Sequence, residues 1–313
     1  MQLFPAVGRQ RSSVYGAESG EPLPMPLHGF VAGCKFALSE PDPATGGVTA
    51  TWRSGVDGKD VPEEARWPHD VELSVRVTIE DGNTLAVAYT CSAGATAGSA
   101  AVPVSLGNHV SLAVAWDAAS SPGVTVAACE AACGPPRPLP LGSDGQVAPP
   151  TGEALDGWLA GAEGSAIPLG DDGFAGAVVA FGDPFAPGAA ETAAASAPGS
   201  DAGELASVTV SGVAGSAAGS GAGLRVTVSS LVPTLATASG EEDTERSLAL
   251  RRGCCFVFWG RPAEEAGGLG FLCPEPWLGV PDSLNSGIGR ALLGPGERLT
   301  WGWKLRVNKP REP

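Results

Sequence analysis

The chain is poor in basic residues: 19 lysines and arginines stand against 34 aspartates and glutamates in 313 residues, a formal net charge of −15. A surface of that sign repels phosphate backbones and anionic membranes, which argues against nucleic-acid binding. Charged residues of both signs reach only 17% while 43% are hydrophobic, so the chain has the material for a sizeable core and is not disordered as a whole. Long uninterrupted apolar runs are absent. The most apolar stretch, Ala100 to Trp116, alternates and carries Pro103, Asn108 and His109, which a membrane-spanning helix accommodates only at a cost. Met1-Gln2-Leu3-Phe4-Pro5 lacks the basic and apolar regions of a secretory signal, so a cytoplasmic, soluble protein is the expectation.

Seven cysteines, an odd and scattered set, do not form the framework of a disulfide-stapled domain, and reduced, mostly buried thiols are expected. Cys129 and Cys133 have C-x-x-x-C spacing but no second ligand pair nearby, which argues against zinc there. Glycine (45) and proline (28) punctuate the chain too often for long helices, and sustained 3.6-residue periodicity is missing.

What is present is alternation. Val71 to Ile79 places apolar residues at every second position, Asp81-Gly82-Asn83 supplies turn chemistry, and Thr84 to Thr90 resumes the pattern, predicting an antiparallel hairpin. Further strands are predicted at 111–116, 124–128, 177–181, 206–210, 224–228, 254–259 and 299–307, with Trp301 and Trp303 on one core-facing side. The expectation is an all-β protein, a large antiparallel β-sandwich or barrel, as a single domain over 1–313. The Ala/Gly/Ser/Pro-rich tract around 184–223 reads as a mobile loop or insertion enclosing one strand, and the acidic run from Gly240 to Arg246 as a solvated loop.

Three short segments carry candidate chemistry. His28 lies in Pro26-Leu27-His28-Gly29-Phe30 and His109 in Gly107-Asn108-His109-Val110; a nearby glycine lets backbone or ligand approach closely, which suits a site or an ordinary turn. Glu275 lies in Cys273-Pro274-Glu275-Pro276-Trp277, just after an apolar strand, where two prolines hold the backbone extended and aim the carboxylate. A loop carboxylate beside a core tryptophan is the alternative.

The order of these segments resembles the aldose 1-epimerase (galactose mutarotase-like) family. Phe4-Pro5-Ala6-Val7-Gly8-Arg9, then Tyr15 and Pro26-Leu27-His28-Gly29-Phe30, is similar to its stretch with a substrate-binding arginine and first histidine. Trp67-Pro68-His69-Asp70 and Pro103-Val104-Ser105-Leu106-Gly107-Asn108-His109 resemble its middle strands and second histidine. Phe271 to Gly279, Asp282-Ser283-Leu284-Asn285 and Leu293-Gly294-Pro295-Gly296-Glu297 resemble its C-terminal catalytic segment and closing strands.

The resemblance implies a galactose mutarotase-like supersandwich that interconverts α and β anomers of a free aldohexose by acid–base ring opening. Glu275 would be the base and His109 the acid, on opposite sides of the sugar, with Arg9, His28, Trp277, Trp259 and Asp172 binding substrate. No metal or other cofactor is required, and the expected partner is a small-molecule sugar. Against the family pattern, the sequence begins inside the Phe-Pro…Gly-Arg stretch, so the expectation is either a truncated sequence or a sandwich lacking N-terminal edge strands. Val31-Ala32-Gly33 stands where many relatives carry arginine, and Ala175-Gly176-Ala177 where relatives often place a sugar-gripping aspartate, so either that clamp is absent or Asp172 replaces it. His69 is expected at the packing or rim level. Two alternatives accompany the mutarotase reading: a non-catalytic carbohydrate-binding sandwich and a hexose-6-phosphate 1-epimerase.

Overall fold

The computed structural model of the chain describes residues 1–16, 22–54, 67–95, 100–116, 122–128, 137–139, 146–147, 174–181, 203–213, 224–264 and 269–308. The alternating segments become strands: Val71–Glu80 and Thr84–Ala93 pair antiparallel from Val71↔Ala93 to Glu80↔Thr84, closed by the three residues 81–83. Asp81 and Gly82 both take positive φ there, the conformation this short turn demands.

Among the described residues sixteen strands join one sheet. Along its main path the order is 137–139, 174–180, 254–261, 269–278, 112–115, 204–213, 224–231, 298–308, 84–93, 71–80, 48–53 and 37–38. Every strand-to-strand pairing in it is antiparallel, and the architecture is the expected large β-sandwich. Val71, Leu73, Val75, Tyr89, Val208, Val228, Phe256, Phe258, Trp301 and Trp303 meet in the main core. Each such aliphatic side chain contributes about 1.5–3 kcal/mol on full burial. Burial ends at Val75 along its strand: Val77 and Ile79 are exposed, so the hairpin tip continues the alternation beyond the core.

Two expectations require correction. The acidic run is not wholly loop: Asp243 caps an α-helix, Thr244–Arg252, its carboxylate accepting from the Arg246 N–H at 3.0 Å. Arg251 and Arg252 in the last turn complement the helix dipole, so cap and charge pattern together stabilise a helix whose apolar face is narrow. The second correction concerns Glu275, which lies within the strand Leu269–Leu278 instead of after one. Of the soft tracts, 184–202 and 214–223 lie outside the described residues, and 204–213 is the enclosed strand. Among the described residues Cys91, Cys254, Cys255 and Cys273 are buried free thiols, Cys34 is half-buried, and no helix is long and apolar enough to cross a membrane.

Candidate active site

Strand Leu269–Leu278 is paired without a break from Phe271 to Leu278 with Cys254–Arg261 on one edge. Its other edge is interrupted: residues 269–272 pair with 112–115, and Trp277 and Leu278 pair with Gly107 and Leu106. Residues 273–276 have no ladder partner on that edge among the described residues, because the chain at 108–111 turns away and carries His109 with it. Pro274 and Pro276 occupy this gap. The unbroken ladder with 254–261 requires the N–H groups of Cys273, Glu275 and Trp277 to face that partner, which leaves the proline nitrogens facing the gap, where no donor is needed.

The period of two puts Cys273, Glu275 and Trp277 on one face. Their register partners Trp259, Val257 and Cys255 share it. Glu275 is 2% exposed. Its Oε2 accepts from the Trp277 indole N–H at 3.2 Å, and its Oε1 lies 3.3 Å from His109 Nε2. Burial drives the carboxyl pKa up to about 8, with the indole hydrogen bond opposing the shift. Burial also lowers the pKa of His109. The two shifts agree: in this setting charge on either partner is costly, and the pair holds a single proton between Oε1 and Nε2 around neutrality.

His28 completes the cluster, its ring 5.9 Å from His109 and 5.6 Å from Trp277, centroid to centroid. Its Nδ1 accepts from the Gly8 N–H at 3.1 Å, which fixes the tautomer with the proton on Nε2. Burial, and after it the neighbouring His109, push its pKa down to about 4, so His28 is a neutral Nε2–H donor at physiological pH. The glycines near both histidines serve the protein's own packing. A Cβ on Gly29, at φ +74°, would stand 2.1 Å from the Phe4 carbonyl oxygen, and one on Gly107 would stand 2.8 Å from the Trp277 ring.

The remaining predicted residues fall into different places. Trp259 is 42% exposed, with its ring 6.1 Å from that of His109, and presents an open face at the site. Trp277 is 2% exposed, and its indole N–H is committed to Glu275. Arg9 has an exposed side chain while its carbonyl accepts from the Asp282 N–H at 3.1 Å; it does not contact the Glu275–His109 pair. Asp172 lies outside the described residues. His69 is half-buried against Trp67, its Nε2 3.2 Å from the Tyr15 hydroxyl, in keeping with packing or rim duty. Base and acid were expected across the sugar from one another, whereas Glu275 and His109 are in direct contact.

Three supporting residues were not singled out from the sequence. Ser111 Oγ lies 3.4 Å from His109 Nδ1 and 3.2 Å from Cys273 Sγ. Asn108 and Tyr89 form a buried network with Gln2, the Asn108 amide donating to Gln2 Oε1 at 2.9 Å and to the Tyr89 hydroxyl at 3.2 Å, which anchors the segment bearing His109. The signal available for Cys273 was strand parity with Glu275, two residues on.

Comparison with known proteins adds the following. Residues 15–133 match the sequence pattern of the aldose 1-epimerase family. No curated protein sequence matches the chain. Among solved structures it is similar to the Slr1438 protein of Synechocystis sp. PCC 6803, with 15% identity, a TM-score of 0.56, and coverage of 99% of this chain and 78% of that one. It is also similar to a candidate aldose 1-epimerase of Escherichia coli K12, with 12% identity, a TM-score of 0.57, and coverage of 99% and 84%. At these identities the likeness to solved structures concerns the fold. The sequence match over 15–133 is thus a likeness to the aldose 1-epimerase family over part of the chain, and the structural likeness extends the shared fold over nearly all of it.

Proposed function

We propose that this chain is a mutarotase that interconverts the α and β anomers of a free aldohexose, with Glu275 and His109 as its acid–base pair. The observation that carries the reading is the buried contact between Glu275 Oε1 and His109 Nε2, 3.3 Å long and flanked by a fixed donor at His28. Opening a pyranose requires the C1 hydroxyl to lose a proton while the ring oxygen gains one. Those two oxygens share a single carbon, so two adjacent groups reach both without bracketing the ring.

The one-proton pair supplies the chemistry in balance. In its ion-pair tautomer the Glu275 carboxylate takes the C1 hydroxyl proton as the His109 imidazolium gives its proton to the ring oxygen, leaving a neutral acid and a neutral imidazole. After rotation about C1–C2, His109 takes the proton back from the ring-derived hydroxyl and Glu275 delivers one to the carbonyl oxygen, closing the other anomer. The pair's proton count never changes, and each partner contributes on the order of 10²–10⁴-fold. His28 Nε2–H donates to a sugar oxygen, and the open face of Trp259 meets the C–H side of the ring. Arg9 and Asp172 are assigned to substrate binding on family resemblance.

The test is polarimetry of freshly dissolved α-D-glucose and α-D-galactose. Faster approach to anomeric equilibrium with wild type, abolished in Glu275→Gln, is expected. No acceleration of either sugar by folded protein overturns this reading, and acceleration confined to hexose 6-phosphates replaces it with the sugar-phosphate alternative.

A further inference from the structure

We propose that His109, Cys273 and Glu275 form a three-ligand site for a thiophilic divalent cation of the zinc class, and that its occupancy silences the acid–base pair. The silencing rests on the catalytic reading above; the binding does not.

The imidazole, thiol and carboxylate ligand atoms lie within 4.8 Å of one another. Zinc bonds of about 2.0–2.3 Å in a tetrahedral shell set their ligands about 3.5 Å apart. The His109 Nε2 to Glu275 Oε1 distance of 3.3 Å already matches such an edge, so assembly asks only for a contraction on the sulfur side. The scaffold holds two ligands in place: Cys273 and Glu275 are two residues apart on a strand paired without interruption along one edge, with proline on both sides of Glu275. The third ligand comes from the segment that leaves the gap.

The donor set chooses the ion. One nitrogen, one sulfur and one oxygen suit a borderline-soft metal and disfavour magnesium and calcium, which prefer oxygen alone. Three protein ligands leave a fourth position for solvent, and the half-buried His109 with the exposed Ser111 beside it marks the open side. Cys273 also differs from the neighbouring buried thiols. Cys254 and Cys255 direct their sulfurs to the backbone carbonyls of Leu250 and Gly279, whereas Cys273 faces the Ser111 hydroxyl within the cluster. Binding is an acid–base exchange: the thiol proton and the proton shared by Glu275 and His109 pass to solvent as the metal takes their electron pairs, with no change of oxidation state. The proton the pair would pass to the sugar is then gone.

The experiment titrates chelator-treated protein with Cd²⁺, followed by the ultraviolet thiolate-to-cadmium band, and with Co²⁺, followed by its tetrahedral visible bands. One equivalent is expected to bind with a thiolate band that persists in Cys129→Ser/Cys133→Ser. The band is expected to vanish in Cys273→Ser and Cys273→Ala, with affinity at least tenfold weaker, while near-ultraviolet circular dichroism shows both variants folded. Zn²⁺ should halt mutarotation over the concentration range in which it displaces Co²⁺. Absence of a thiolate band in folded wild type, or one that survives loss of Cys273, overturns the site. A Cys273-dependent band in a protein that accelerates no sugar keeps the site and overturns the function proposed above.

Discussion

Two buried carboxylates, seven residues apart, have opposite surroundings. Asp282 is 3% exposed and Glu275 2%. Asp282 Oδ1 accepts from the Arg11 N–H at 2.8 Å and the Asn285 amide at 2.7 Å, with the Arg11 guanidinium 3.6 Å from Oδ2. Its hydrogen bonds fasten the N-terminal segment to the turn that follows the site strand. Glu275 has a single indole donor and an imidazole that is itself disfavoured as a cation. Burial is common to both; the number of committed donors separates a carboxylate that fixes the chain from one poised to exchange a proton.

The sharpest way to break this contrast is to neutralise each in turn. Glu275→Gln is expected to lower the mutarotation rate by about 10²–10⁴-fold with the fold intact. Asp282→Ala should leave the rate per folded molecule near wild type but cost about 1–3 kcal/mol in denaturant unfolding, since donors are left unpaired and the largely exposed Arg11 contributes little. A variant pair with these effects exchanged would reverse the assignment.

The pH dependence sharpens the same contrast. On the proposed mechanism the pair works with one proton, so mutarotation in wild type should follow a bell whose alkaline limb falls near pH 8, where that proton is lost. Stability carries the linked sign. Between the carboxyl's ordinary value of 4.5 and about 8 the folded state keeps a proton that the unfolded state has released, so this group's contribution to stability declines as pH rises through that window. Glu275→Gln escapes the decline: it should melt a few degrees above wild type at pH 9, with the difference closing toward pH 4 in calorimetry. The smallest effect is expected from Trp277→Phe, which removes the donor that favours the carboxylate. Its alkaline limb should move to higher pH by less than one unit, and a shift to lower pH would sink the positioning role of the indole.

Much of the fold was legible because alternation reports a half-buried strand directly, as the hairpin 71–93 shows. The helix at 244–252 was missed because its apolar face is narrow, although Asp243 and the terminal arginines mark both ends. His109 and Glu275 were legible from glycine and proline neighbours and from family resemblance, but their mutual distance was not, being set by where two ladders stop on opposite sides of residues 273–276. Trp277 illustrates the same limit: its place two residues from Glu275 was legible, whereas its burial and the direction of its N–H toward the carboxylate were not.

The prolines of the gap also bear on solubility. An unpaired strand segment ordinarily displays a row of amide donors that a stray peptide can extend into a further strand, and a reaction site built on such an edge would be prone to capture. With Pro274 and Pro276 facing the opening, that edge offers carbonyl oxygens but no amide hydrogens, so a foreign chain finds half of a ladder and cannot zip onto it. The site thereby remains open to small solutes while being closed to β-addition.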